Sequence, residues 1–129
     1  MPSLKRSFLG MYLPLLFVAL TSAALIRNLL AQEHTNRLSF MESMKISMTE
    51  MDTAMKAAPM NGDVDHDFAV MMIPHHKGAI EMAKSELLFG KDPVMRRLAQ
   101  EVLVDQQSEI DAMNLWLGKQ AGAQPKEKK

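Results

Sequence analysis

Two methionines and two histidines fall within six residues in Met71-Met72-Ile73-Pro74-His75-His76. On a helix, Met71 reaches His75 at i+4, and Met72 reaches His76 at i+4 and His75 at i+3. Met82 follows two turns after His75. Imidazole nitrogen beside thioether sulfur is a donor set suited to copper; the neutral thioether favours the monovalent ion, with silver as a second soft candidate. A second run reinforces the pattern. Met41, Met44, Met48, Met51 and Met55 recur at spacings of 3, 4, 3 and 4, a heptad-like stripe on one helix face. Residues 41–60 hold six methionines and no leucine. Leucine specifies a core better than flexible methionine, so packing alone does not explain its exclusion. With no cysteine in the chain, disulfides, thiolate sites and cysteine nucleophiles are excluded. The candidate metal ligands are therefore Met48, Met51, Met55, Met71, Met72, His75, His76 and Met82.

These residues need helices to position them, and three can be read. Ser39 followed by Glu42 is a capping-box pattern, so the first helix is expected to start there and to stop before Pro59. Asn61-Gly62-Asp63 is a turn, and Asp63 or Asp65 caps the second helix, which ends at Gly90 with that glycine in a C′ role. Asp92-Pro93 opens the third helix as N-cap and first helical residue, and it runs to about Leu117. On the second helix, Phe68, Met71, Met72, His75, Ala79, Met82 and Glu86 share one arc, with His76 on its border. On the third, Met95, Leu98, Ala99, Val102, Leu103, Ile110, Met113, Trp116 and Leu117 form the apolar arc. Gln106 lies near the centre of that arc and Glu109 on its edge. Buried polar groups need partners. Glu86, Gln106 and Glu109 are thus expected to hold the histidines, fixing the imidazole tautomer and leaving the other nitrogen for a metal. The competing account is a polar network that only sets helix register, which leaves the methionines unexplained.

The ends of the chain differ in character from its middle. Lys5 and Arg6 precede a 13-residue apolar run from Phe8 to Leu20, and Thr21-Ser22-Ala23-Ala24 offers small residues for cleavage. This reads as an export signal over residues 1–23. The uncharged stretch continues to Ile26, close to the roughly 20 residues that span a bilayer, so an uncleaved anchor is the other outcome. Either way, the remainder is expected outside the cytoplasm, in the periplasm or an equivalent exported location. Residues 24–38 are a lead-in, 39–117 a helical domain and 118–129 a solvated tail. Without the first 23 residues, Lys+Arg falls from 15 to 13 against 15 Asp+Glu, a net charge of about −2. Nucleic-acid binding therefore has no electrostatic support.

Residues 67–83, from Asp67-Phe68-Ala69-Val70-Met71-Met72-Ile73-Pro74-His75-His76 through Lys77-Gly78-Ala79-Ile80-Glu81-Met82-Ala83, resemble the hallmark of the family called domain of unknown function 305. The similarity extends through Gly90-Lys91-Asp92-Pro93, Leu98-Ala99, Gln106, Glu109-Ile110, Met113 and Trp116-Leu117, so it covers about residues 38–118. The resemblance implies an all-α, ferritin-like helical bundle; some exported members bind copper and contribute to copper tolerance. It carries over to Met71, Met72, His75, His76 and Met82. Many members have Met-His in the first helix where this chain has Met51-Asp52, and longer members contain two helical hairpins where this chain has one.

The expected architecture is one helical hairpin plus the methionine-rich first helix. A ferritin-like core needs four helices, and two chains burying their methionine faces together would supply them, so a homodimer is expected. The expected function is exported copper binding, for sequestration or handling, without enzymatic activity. A structural or partner-binding helical module of the cell envelope is the alternative. A ferritin-like di-metal oxidoreductase is disfavoured, because no Glu in the chain has a His three residues later.

Overall fold

The computed structural model describes the backbone of residues 6–123, and side chains for Val18 and residues 21–122. The all-α expectation holds: three helices, α1 (Arg6–Lys56), α2 (Val64–Phe89) and α3 (Pro93–Ala123), with no strand among the described residues. The expected export segment lies mostly outside the described side chains. Among the described residues, no helix is long and apolar enough to cross a membrane.

Packing divides the chain into two units, Met1–Leu38 and Ser39–Lys129. In the first, residues 21–38 are helical and exposed apart from half-buried Asn36, which accepts a hydrogen bond from Gln32. The helix expected to start at Ser39 is in fact continuous through it. An N-cap must leave helical geometry. Residues 27–38 contain neither proline nor glycine and are rich in Leu, Ala, Gln, Glu and Arg, so nothing halts the helix upstream.

In the second unit, residues 39–56 of α1 run antiparallel to α2. Phe40 meets Phe89 edge-on with ring centroids 6.3 Å apart, Ser43 bonds Ser85, and Met51 lies against Gly78. Small residues set this close approach. Ser85, 1% exposed, donates to the Glu81 carbonyl and shares a 2.5 Å hydrogen bond with Ser43, while buried Ser47 donates to the Ser43 carbonyl. A Cβ at Gly78 would lie 2.7 Å from Met51 Cβ, so glycine is required there by proximity, not by backbone angle.

The turn from α1 to α2 is built by carboxylates. Asp63, the N-cap, accepts the His66 backbone N–H at 2.8 Å. Asp67 accepts those of Asn61 at 2.8 Å and Gly62 at 3.0 Å, and Gly62 takes φ +91°, which suits glycine. His66 Nδ1 lies 3.2 Å from Asp67 Oδ1.

α2 stays helical through Pro74 although proline cannot donate to the Val70 carbonyl. Gly90 does end α2, but at φ −69°, ψ 145°, not in the left-handed form expected. The Glu86 side chain occupies the space that a Cβ at Gly90 would need. Arg96 donates to the carbonyls of Leu87 and Gly90, bringing a cation to the negative end of α2. Asp92 caps α3 as expected, accepting from the Val94 and Met95 N–H groups at 2.9 and 3.0 Å. α3 then runs six residues beyond Leu117, through Gly118 and Gly122, because an exposed glycine costs only about 1 kcal/mol and Lys119, Gln120 and Ala121 propagate the helix. Residues 124–129 of the expected tail lie outside the described residues. Between α2 and α3 the buried apolar side chains are Ala69, Ile80, Ala83, Ala99 and Ile110.

Candidate metal centre

The two histidines have opposite environments. Consecutive residues on a helix diverge by about 100°. On α2, Ala69, His76, Ile80 and Ala83 are buried on the side that packs against α3, while Gly78 and Ser85 are buried on the side that packs against α1. His75 falls between those faces and is exposed. The arc expected to be apolar, with Phe68 and His75 on it and His76 at its border, is thus rotated from the buried face: Phe68 is 62% exposed and His76 only 7%. The physical reason is that small residues pack closest. Ala69 and Ala83 select the face towards α3, and Gly78 and Ser85 that towards α1, while the larger side chains between them remain open.

His76 is held across the helix seam. Its Nε2 lies 2.5 Å from Glu109 Oε2 on α3, the partner expected from the sequence. A carboxylate only accepts, so Nε2 carries a proton, and in the singly protonated form of the ring the lone pair is on Nδ1. That Nδ1 is buried and makes no hydrogen bond. One nitrogen anchored on a carboxylate and the other left as a free acceptor is how a metal-ligating imidazole is commonly oriented. His75 lies with its ring centroid 5.8 Å from that of His76, at 62° between planes.

The other expected polar partners do not join. Glu86 lies over Gly90, nearly three turns from His76, since its place on α2 is set by the helix end and not by the histidines. Gln106 is half-buried on α3 and bonds neither histidine. Among the described residues, no three His, Asp or Glu side chains gather into a metal-holding group. A site here therefore has to draw on thioether sulfur.

The methionines supply it at two places. Met71, Met72 and Met82 are half-buried on α2, and Met51 and Met55 on α1. By helix register, Met51 opposite Gly78 puts Met55 at about the level of Pro74 and His75, and Met48 at that of Glu81 and Met82. Met48, however, is 54% exposed, and Met41, in the same stripe, 59%. Met41 and Met48 sit at the rim of the α1–α2 contact, because Ser43, Ser47 and, from the stripe itself, Met51 turn inward. On the other side, His76 opposite Glu109 in an antiparallel pair puts Met72, four residues earlier, opposite Met113, four residues later. Met113 is half-buried. The sequence placed it only in the apolar arc of the third helix; the signal for more was its i+4 spacing from Glu109, which has meaning only once the register is known.

Comparison with known proteins now adds a family. Residues 20–117 match the domain of unknown function called DUF305. The chain belongs to this family. The matched span takes in all the candidate ligands of the DUF305 domain and extends upstream of Ser39. Over 50 residues the chain is also 42% identical to the uncharacterized protein L153 of Acanthamoeba polyphaga mimivirus. That stretch is 39% of this chain and 33% of the viral protein, so the similarity spans about a third of the relative's length.

Proposed function

We infer that this DUF305 protein binds a soft monovalent metal, copper foremost and silver as its analogue, and serves in its sequestration or handling. The observation that carries the reading is His76, which presents a buried, unpartnered Nδ1 in a methionine-rich helical unit while Glu109 holds Nε2. A plain structural histidine would be expected to satisfy both nitrogens. The donor set fits the metal: neutral thioethers and imidazole, with no thiolate available. Export is part of the proposal and rests on Lys5 and Arg6 ahead of the apolar run. It places the function in copper tolerance outside the cytoplasm.

The test is anaerobic titration of the full chain with monovalent copper against a chromophoric chelator. Met→Leu conserves volume and usually costs less than about 1.5 kcal/mol in a core, yet removes the sulfur. Replacing Met51, Met55, Met71, Met72 and Met82 together should abolish tight binding while helicity survives. Unchanged copper affinity in that variant would sink the reading. A second reading, a partner-binding envelope module, is favoured by the exposed apolar residues Met41, Met48, Phe68 and Leu98. It is supported if the purified chain takes up no copper or silver.

A further inference from the structure

Resting on the metal-binding reading, we propose that Met71-Met72-Ile73-Pro74-His75-His76 builds two separate soft-metal sites, one per histidine, and that Met113 is a ligand of the inner one. The inner site is Met72, His76 Nδ1 and Met113, between α2 and α3; the outer is Met55, Met71 and His75, between α1 and α2.

Four observations lead there. The six-residue segment contains two overlapping Met-x-x-x-His pairs, Met71 with His75 and Met72 with His76, each one turn apart on its own stripe of α2. The stripes face different helices, since His76 is buried against α3 while His75 is exposed on the flank towards α1. The hydrogen bond from His76 Nε2 to Glu109 fixes the α2–α3 register, so Met72 and Met113 stand at one level, about 6 Å along the axis from the histidine. Helical side chains lean towards the N-terminus, which lays the His76 ring over the turn carrying Met72. The unpartnered Nδ1, the nitrogen nearer the backbone, is thus the donor left on that side. Methionine, with three rotatable bonds, can swing its sulfur onto such a point from either helix.

One ion shared by both histidines would be a poorer solution. His76 would have to turn Nδ1 out of the interior and release Glu109, leaving Nε2–H without its acceptor. Three neutral donors, two thioethers and one imidazole, suit a monovalent ion that accepts low coordination, and neither site then needs a carboxylate ligand.

The test uses the full chain labelled with 13C at the methionine methyls, titrated with silver, which is redox-inert, and then with monovalent copper. Met→Leu variants assign the signals. Two equivalents should bind, with the methyls of Met72 and Met113 moving together as one set and those of Met55 and Met71 as another. Met113→Leu should lose one equivalent, or weaken it more than tenfold, while the Met55 and Met71 signals still respond. Met55→Leu should do the reverse. The two-site proposal alone is overturned if the Met113 methyl stays unmoved at saturating silver while others shift, or if Met113→Leu keeps both equivalents within twofold. If no methionine methyl of the unmodified chain responds, the metal-binding reading falls with it.

Discussion

His76 keeps one nitrogen on Glu109 across the α2–α3 seam and the other inside the protein, so its two nitrogens answer to different substitutions. Glu109→Gln keeps an acceptor for Nε2–H and should leave stability nearly unchanged. Glu109→Leu removes it. The side chain of Glu109 is 56% exposed, so water can take part of its place. The expected cost is therefore near the low end for an unsatisfied group, about 1 kcal/mol in chemical denaturation. Asp67 is the other residue with a defined electrostatic role. The Asn61 backbone N–H, the largest influence, holds its carboxyl below the usual carboxylate range against the opposing effect of burial, with His66 and the Gly62 N–H acting in the same lowering direction. A folded value below the unfolded one, about 3.9, means that the stabilisation is present above that pH and is lost as pH falls through the folded value. The protection of the Asn61 and Gly62 amides, relative to their intrinsic exchange rate at each pH, should therefore fall on acidification. Asp67→Asn should show fast exchange there already at neutral pH.

At the scale of elements, each helix pair is set by what is missing from a side chain. Gly78 lets α1 approach α2 until Met51 Cβ stands where a side chain would begin. Gly78→Ala gains about 1 kcal/mol of helix propensity but overpacks a seam, which typically costs about 1–3 kcal/mol. The added methyl would meet Met51 Cβ and Sδ, both at 2.7 Å; the Sδ can swing aside but the Cβ, close to backbone, cannot, so the net effect should be destabilising by about 1 kcal/mol. A melting temperature raised by this substitution would show that α1 can move away freely. The same reasoning accounts for the arc that came out rotated. An amphipathic wheel ranks faces by hydrophobicity, whereas Ala69, Gly78, Ala83 and Ser85 were buried because small residues admit a neighbouring backbone.

Taken as a whole molecule, the second unit leaves much apolar surface open, with Met41, Met48, Phe68 and Leu98 each at least half exposed. The expected homodimer would cover such a surface. Light scattering on the full chain should give about twice the chain mass. Met41→Glu with Met48→Glu should halve it without loss of helicity, because neither side chain is wedged against α2 as Met51 is. A monomer in the unmodified protein would remove the dimer and leave the two metal sites as they stand.

The sequence by itself determined the helical class, the turn at Asn61-Gly62-Asp63 and the Asp92 cap, because each depends on neighbours in the chain; for the histidines it offered Glu86, Gln106 and Glu109 without choosing among them. It did not determine where α1 starts or α3 stops. Ser39 and Gly118 are only local preferences, and tolerant neighbours on both sides carried the helix through. Only the tertiary structure decided which histidine is buried, that Glu86 belongs to the end of α2, and that Met113 stands level with Met72. Those facts depend on the register and rotation of one helix against another. Register is fixed by contacts 33 residues apart in the chain, such as that of His76 with Glu109, and no periodicity within a single helix contains it.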